Sequence, residues 1–117
     1  MQDDDFIFRA EKVEALEILD FCVVRLLALV PEYDENLLLI DECVRRGSTG
    51  SAAQATVDYL QMERAAAYGV TQVTHWFNAM QPLGYRELGA VGAALALPQI
   101  NCVLIADNIH VHPVVQK

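Results

Sequence analysis

Apolar residues recur near helical spacing through residues 3–20, at Phe6, Ala10, Val13, Leu16 and Leu19, with acidic residues between them. That pattern predicts an acidic amphipathic helix. From Cys22 to Val30 the spacing gives way to an apolar run broken only by Arg25 and closed by Pro31. Such a run predicts a strand buried on both faces. Asp34 can cap a following helix whose inner side carries Leu37, Leu38, Ile40 and Val44. Arg45 and Arg46 fall in its last turn and Gly47 just beyond, as the helix dipole and the left-handed C′ position favour. Residues 47–56 then hold no apolar run where the alternation would place a strand, and read as a flexible loop of small residues.

Helical spacing resumes over residues 57–68 and stops at Gly69. Val70 to Phe77 reads as a β-branched strand. Residues 78–100, rich in glycine and proline, read as loop apart from a helical patch at 91–97, and 101–106 as a last apolar strand. The expected fold is α/β, with about three parallel strands flanked by helices and joined by right-handed crossovers.

At 117 residues the chain is one domain at most, or a piece of a larger one. Its 54% apolar content can fill a core, or leave apolar surface uncovered in a piece. A formal charge of −8 repels phosphate backbones and anionic membranes, so neither nucleic acid nor a membrane is an expected partner. The acidic start is unlike a signal peptide, and the run from Phe21 to Val30 is too short to span a bilayer. Cys22, Cys43 and Cys102 lie among aliphatic residues and read as buried thiols of a reducing, cytoplasmic protein.

Chemistry concentrates where apolar runs end. His75 closes a predicted strand and can offer a neutral ring nitrogen to a divalent metal; a core histidine bonded to a nearby loop is the plainer alternative. His110 and His112 would share a face of an extended segment and could hold a metal or an anion together, or be two half-exposed loop histidines. Arg86, in a glycine-flanked loop, could clamp a phosphate or simply be solvated. Asp107 could act as an acid or base, or cap its own loop.

Three ordered motifs carry a resemblance: Thr74-His-Trp-Phe-Asn-Ala-Met80, Arg86-Glu-Leu-Gly-Ala-Val-Gly-Ala-Ala-Leu95 and Ile105-Ala-Asp-Asn-Ile-His-Val-His-Pro113. Together, in this order and at this spacing, they resemble the N-acetylglucosamine-6-phosphate deacetylases of the amidohydrolase superfamily. Val24 to Glu32 looks like that family's strand ending in Ala-Pro-Glu. The resemblance covers residues 22–117, a segment of an amidohydrolase-type barrel, and leaves residues 1–21 outside it as an acidic helix. It implies a partial TIM (β/α) barrel and, for the family, metal-dependent hydrolysis of the acetamide of N-acetylglucosamine 6-phosphate. By position, His75 matches a ligand of the catalytic metal, zinc or iron. Asn78 and Ala79 match a pair that contacts the sugar phosphate. Arg86 matches an arginine that reaches the phosphate from the neighbouring subunit of a dimer, and His110 a substrate-binding histidine. His112 receives no role.

The departures are as informative. The family's metal-binding glutamate belongs to a His-Leu-Glu-Gly-Pro motif that does not occur here. A second metal histidine belongs to Gly-His-Ser/Thr-Asn-Ala-Thr, and the corresponding stretch, Gly50 to Thr56, has none. The catalytic aspartate would follow one strand beyond Lys117. Leu88 replaces a usual proline and Asn108 a usual glycine. The resemblance therefore implies a hydrolase family but an inactive segment, with no catalytic residue of its own. Two rivals are half of a split deacetylase with a complementing chain, and a non-catalytic module that binds a phosphosugar.

Overall fold

The computed structural model describes residues 12–21 and 23–117. The part of the acidic helix expected before Lys12, and the thiol of Cys22, lie outside the described residues. Helix α1 (Lys12–Phe21) is followed by β1 (Leu26–Leu29), α2 (Asp34–Arg45), β2 (Thr49–Ala52), α3 (Tyr59–Ala67), β3 (Val70–Val73), α4 (Gly89–Ala96) and β4 (Asn101–Cys102). The strands form one parallel sheet in the order β1-β2-β3-β4. The fold is α/β with flanking helices, but with four strands rather than about three.

The additional strand is β2, inside the stretch expected to be loop. Its burial explains why it carries no bulky apolar residue. A Cβ on Gly50 would lie 2.7 Å from Cγ2 of Ile40 on α2 and 3.1 Å from the carbonyl oxygen of Gly69. Gly50, Ser51 and Ala52 are all buried. Close approach of α2 demands glycine at position 50, and small residues along the strand erase its hydrophobic signature.

Strands in sequential order, joined by right-handed crossovers, place every connecting helix on the same side of the sheet. One core cluster accordingly joins Leu37 and Ile40 of α2, Met62 and Ala65 of α3, and Ala90, Ala93 and Ala94 of α4 with Ala52, Val70 and Val73 of the sheet. In register, Leu29, Ala52 and Val73 form a row facing these helices. The opposite row, Ala28, Ser51, Gln72 and Asn101, faces away from them. Leu26 and Ala28 are exposed on that face. The expectation of a strand buried on both sides fails for β1, because helices cover only one of them. Cys102, expected to be buried, is exposed on the edge strand β4, whereas Cys43 is buried.

On α2 the buried arc comprises Asn36, Leu37, Leu39, Ile40 and Cys43. At about 100° per residue, Leu38 falls outside that arc, and it is exposed rather than inward-facing. Gly47 closes the helix at φ +86, as its position predicts. Asp58 caps α3 through a reciprocal capping box with Gln61. The helical patch expected at 91–97 runs instead over Gly89–Ala96.

Candidate functional site

The C-terminal ends of parallel strands carry free backbone groups and irregular loops, so ligands gather there. The loop after β3 starts with Thr74, whose N–H donates to the carbonyl of Ala52 at 3.0 Å. The N–H of Trp76 donates to Val103 at 2.8 Å, on the other side. Between these anchors β3 stops four residues short of the expected end, because His75 turns to φ +40. Phe77 at φ +75 and Ala79 at φ +53 follow, so left-handed residues alternate with ordinary ones. None is glycine, and a left-handed residue of this kind costs about 1–2 kcal/mol. The N–H groups of Thr74, Trp76 and Asn78 are each bonded to a carbonyl, so the alternation folds the loop back on the sheet and on itself. Strain held in this way is a frequent mark of a working loop.

The half-buried ring of His75 is oriented within this loop. Its Nδ1 lies 2.8 Å from the carbonyl oxygen of Asn78, whose own N–H donates to the carbonyl of His75. A carbonyl only accepts, so Nδ1 carries the proton and Nε2 keeps its lone pair. That tautomer is the one a metal-binding histidine needs. Both readings of His75 from sequence thus meet: it is bonded to a loop, and the bond leaves Nε2 available. The Trp76 and Phe77 rings pack 4.1 Å apart, with Trp76 against the core.

Arg86 is exposed, its guanidinium 5.5 Å from the ring centroid of Tyr85. No hydrogen bond, ion pair or ring contact joins it to His75, Asn78 or His110 among the described residues. Its neighbour Glu87, to which sequence reasoning gave no role, anchors the loop. One Glu87 oxygen accepts the N–H groups of Tyr59 and Gly89, at 2.8 and 3.0 Å, tying the starts of α3 and α4 together. These donors, Gly89 first, hold the carboxyl below the usual glutamate range. Glu32, just after β1, similarly accepts the N–H and hydroxyl of Thr56, at 2.7 and 2.8 Å. Helix-terminal N–H groups awaiting a carboxylate were the signal for Glu87.

Beyond β4, Asp107 ties its loop to the exposed His110 through a 2.7 Å contact with Nδ1. Asn108, standing where a glycine was expected, takes φ +64, the conformation glycine would supply. The ring of His112 is turned to its own backbone, accepting the N–H of Val114 at 3.2 Å, and does not join His110.

A metal centre requires several such ligands together. Among the described residues no group of three or more histidine, cysteine, aspartate or glutamate side chains could hold an ion. His75 fits as a single ligand, and the stretch Gly50–Thr56 beside it contributes none. The residues present do not make a complete metal site. No helix among the described residues is long and apolar enough to cross a membrane.

No protein-family model matches the chain. The N-acetylglucosamine-6-phosphate deacetylase of Bacillus subtilis (strain 168) is 35% identical over 95 residues, covering 81% of this chain and 24% of the relative. That of Danio rerio is 38% identical over 95 residues, covering 77% and 24%. A solved mutant of the Mycobacterium smegmatis deacetylase, in complex with N-acetyl-D-glucosamine-6-phosphate, matches with a TM-score of 0.90 and 28% identity. That likeness covers 98% of this chain and 31% of the solved one. The chain spans about a quarter of the length of the curated relatives it matches. In sequence and in fold it is a partial, diverged counterpart of the N-acetylglucosamine-6-phosphate deacetylases.

Proposed function

We propose that the chain is an arc of a deacetylase barrel that keeps the phosphosugar-binding side of the site and one metal ligand, and has no hydrolytic activity alone. The observation that carries this reading is the loop from Thr74 to Met80. Its left-handed residues bend it sharply back at the strand end, and its histidine has Nδ1 bonded and Nε2 free. In this role Asn78 and Ala79 hold the phosphate end of the sugar, and His110 contacts the same ligand. Arg86, free of its own loop's polar groups, reaches a phosphate on a second copy or a complementing chain. His75 supplies one ligand to zinc or iron, which when bound would polarise the acetamide carbonyl and acidify water. Because the described residues supply no further group of metal ligands, no hydrolytic step is assigned to them. A reducing, cytoplasmic setting suits both the free thiols and an amino-sugar substrate.

The exposed side of β1 favours a partner. Leu26 is 45% exposed there, on a strand whose composition suits burial on both sides. A complementing chain, or a second copy, would cover it.

Calorimetry with glucosamine 6-phosphate tests the binding role. The expected result is saturable binding weakened about tenfold or more by Arg86→Ala, the loss of one charge-assisted phosphate contact. Absence of binding by the unmodified chain would refute it.

A further inference from the structure

Asp107 uses both carboxylate oxygens at once. Its Oδ1 accepts the N–H groups of Ile109 and His110, each at 2.9 Å. Its Oδ2 lies 2.7 Å from Nδ1 of His110. The backbone can close this turn because Asn108 adopts φ +64. The His110 N–H first, then that of Ile109 and the His110 ring, hold the Asp107 carboxyl down to about 2. An ionised carboxylate is an acceptor only, so the proton of a neutral His110 ring must sit on Nδ1. The His110 side chain is 50% exposed.

We propose that Asp107 is a positioning residue for His110: it fixes the ring and keeps Nδ1 protonated, so that Nε2 meets a ligand as a hydrogen-bond acceptor. A bare Nε2 lone pair suits a hydroxyl or N–H of a sugar and repels a phosphate oxygen. Naming that ligand class rests on the reading of His110 as a ligand-contacting residue; the tautomer does not. A purely structural role for Asp107 would be met equally by asparagine, whose Oδ1 can hold the same two backbone N–H groups. Its amide nitrogen, however, would donate to Nδ1 and force the proton onto Nε2.

Long-range proton–nitrogen correlation NMR on the full chain with isotope-labelled histidine reads the tautomer. It is recorded near about pH 8.5, above the ordinary histidine range, with His110 identified by the signal lost in His110→Gln. The expected result is Nδ1–H with bare Nε2 in the unmodified chain, and the reverse in Asp107→Asn. An unmodified chain with the proton mainly on Nε2 would overturn the proposal, as would an Asp107→Asn spectrum with unchanged tautomer. If Asp107→Asn does not fold, the unmodified spectrum decides alone. Inorganic phosphate, added at matched ionic strength, is expected to leave the His110 ring signals in place. A saturable shift on adding it would overturn the acceptor assignment. Failure of the phosphosugar role shows separately, as absent calorimetric binding with the tautomer intact.

Discussion

Strands β2 and β3 are parallel neighbours of four residues each, yet their ends have gone different ways. Beyond β3 lies a strained loop with an oriented histidine. Beyond β2 lie Ala53, Gln54 and Ala55, where Gln54 is also left-handed at φ +47 but no side chain ligates a metal. Both ends are nevertheless pinned by the same kind of backbone bond: Ala53 N–H to Leu29 and Thr74 N–H to Ala52. The contrast teaches that a sheet survives on register and core packing, which are indifferent to the chemistry at its rim. A strand end without a ligating side chain can still, through its backbone, support a neighbour that carries an oriented imidazole.

If so, damage under β2 should unmake the site beyond β3. Ile40 is fully buried and sits directly against Gly50. Ile40→Ala should cost about 2–5 kcal/mol by urea denaturation. Near the transition the His75 and Asn78 signals should melt together with those of β2. Independent melting of the two strand ends would break the comparison.

Adding volume probes the same contact more sharply. Gly50→Ala should destabilise by about 1–3 kcal/mol through overpacking against the Ile40 Cγ2 atom. The double variant Gly50→Ala with Ile40→Leu, which removes that branch, should recover part of the loss. Equal instability of the single and double variants would show that Ile40 is not the obstacle.

Much of this architecture can be read along the chain, and the failures share a cause. The α2 and α3 helices, Gly47 and the position of His75 follow from side-chain type and spacing. Strand β2 is hidden because Gly50, Ser51 and Ala52 report available room rather than hydrophobicity. The left-handed turns at His75, Phe77 and Ala79 are equally hidden, since these residues rarely adopt that conformation and are held there by tertiary bonds. At Asn108 the same conformation was foreseeable, because asparagine replaces a glycine. The exposure of Leu26 and Cys102 reflects what covers the sheet, which their own sequence does not encode.

The smallest effect concerns the loop after β4. Asp107 has a folded-state value depressed to about 2, so its contribution is complete above the ordinary aspartate value of about 3.9. It is lost as the pH falls through that interval toward about 2. Protection of the Ile109 and His110 amides, taken relative to their intrinsic exchange rates, should therefore fall across this window while the β2 and β3 amides stay protected. Loss of protection in all three regions at one pH would argue against a locally held turn.

Acetate release from N-acetylglucosamine 6-phosphate, measured with the purified chain supplied with zinc or iron, bears most directly on the central claim. A rim with one oriented imidazole and no partner ligand predicts a rate equal to the metal in buffer, and unchanged by His75→Ala. Sustained turnover that His75→Ala abolishes would contradict it.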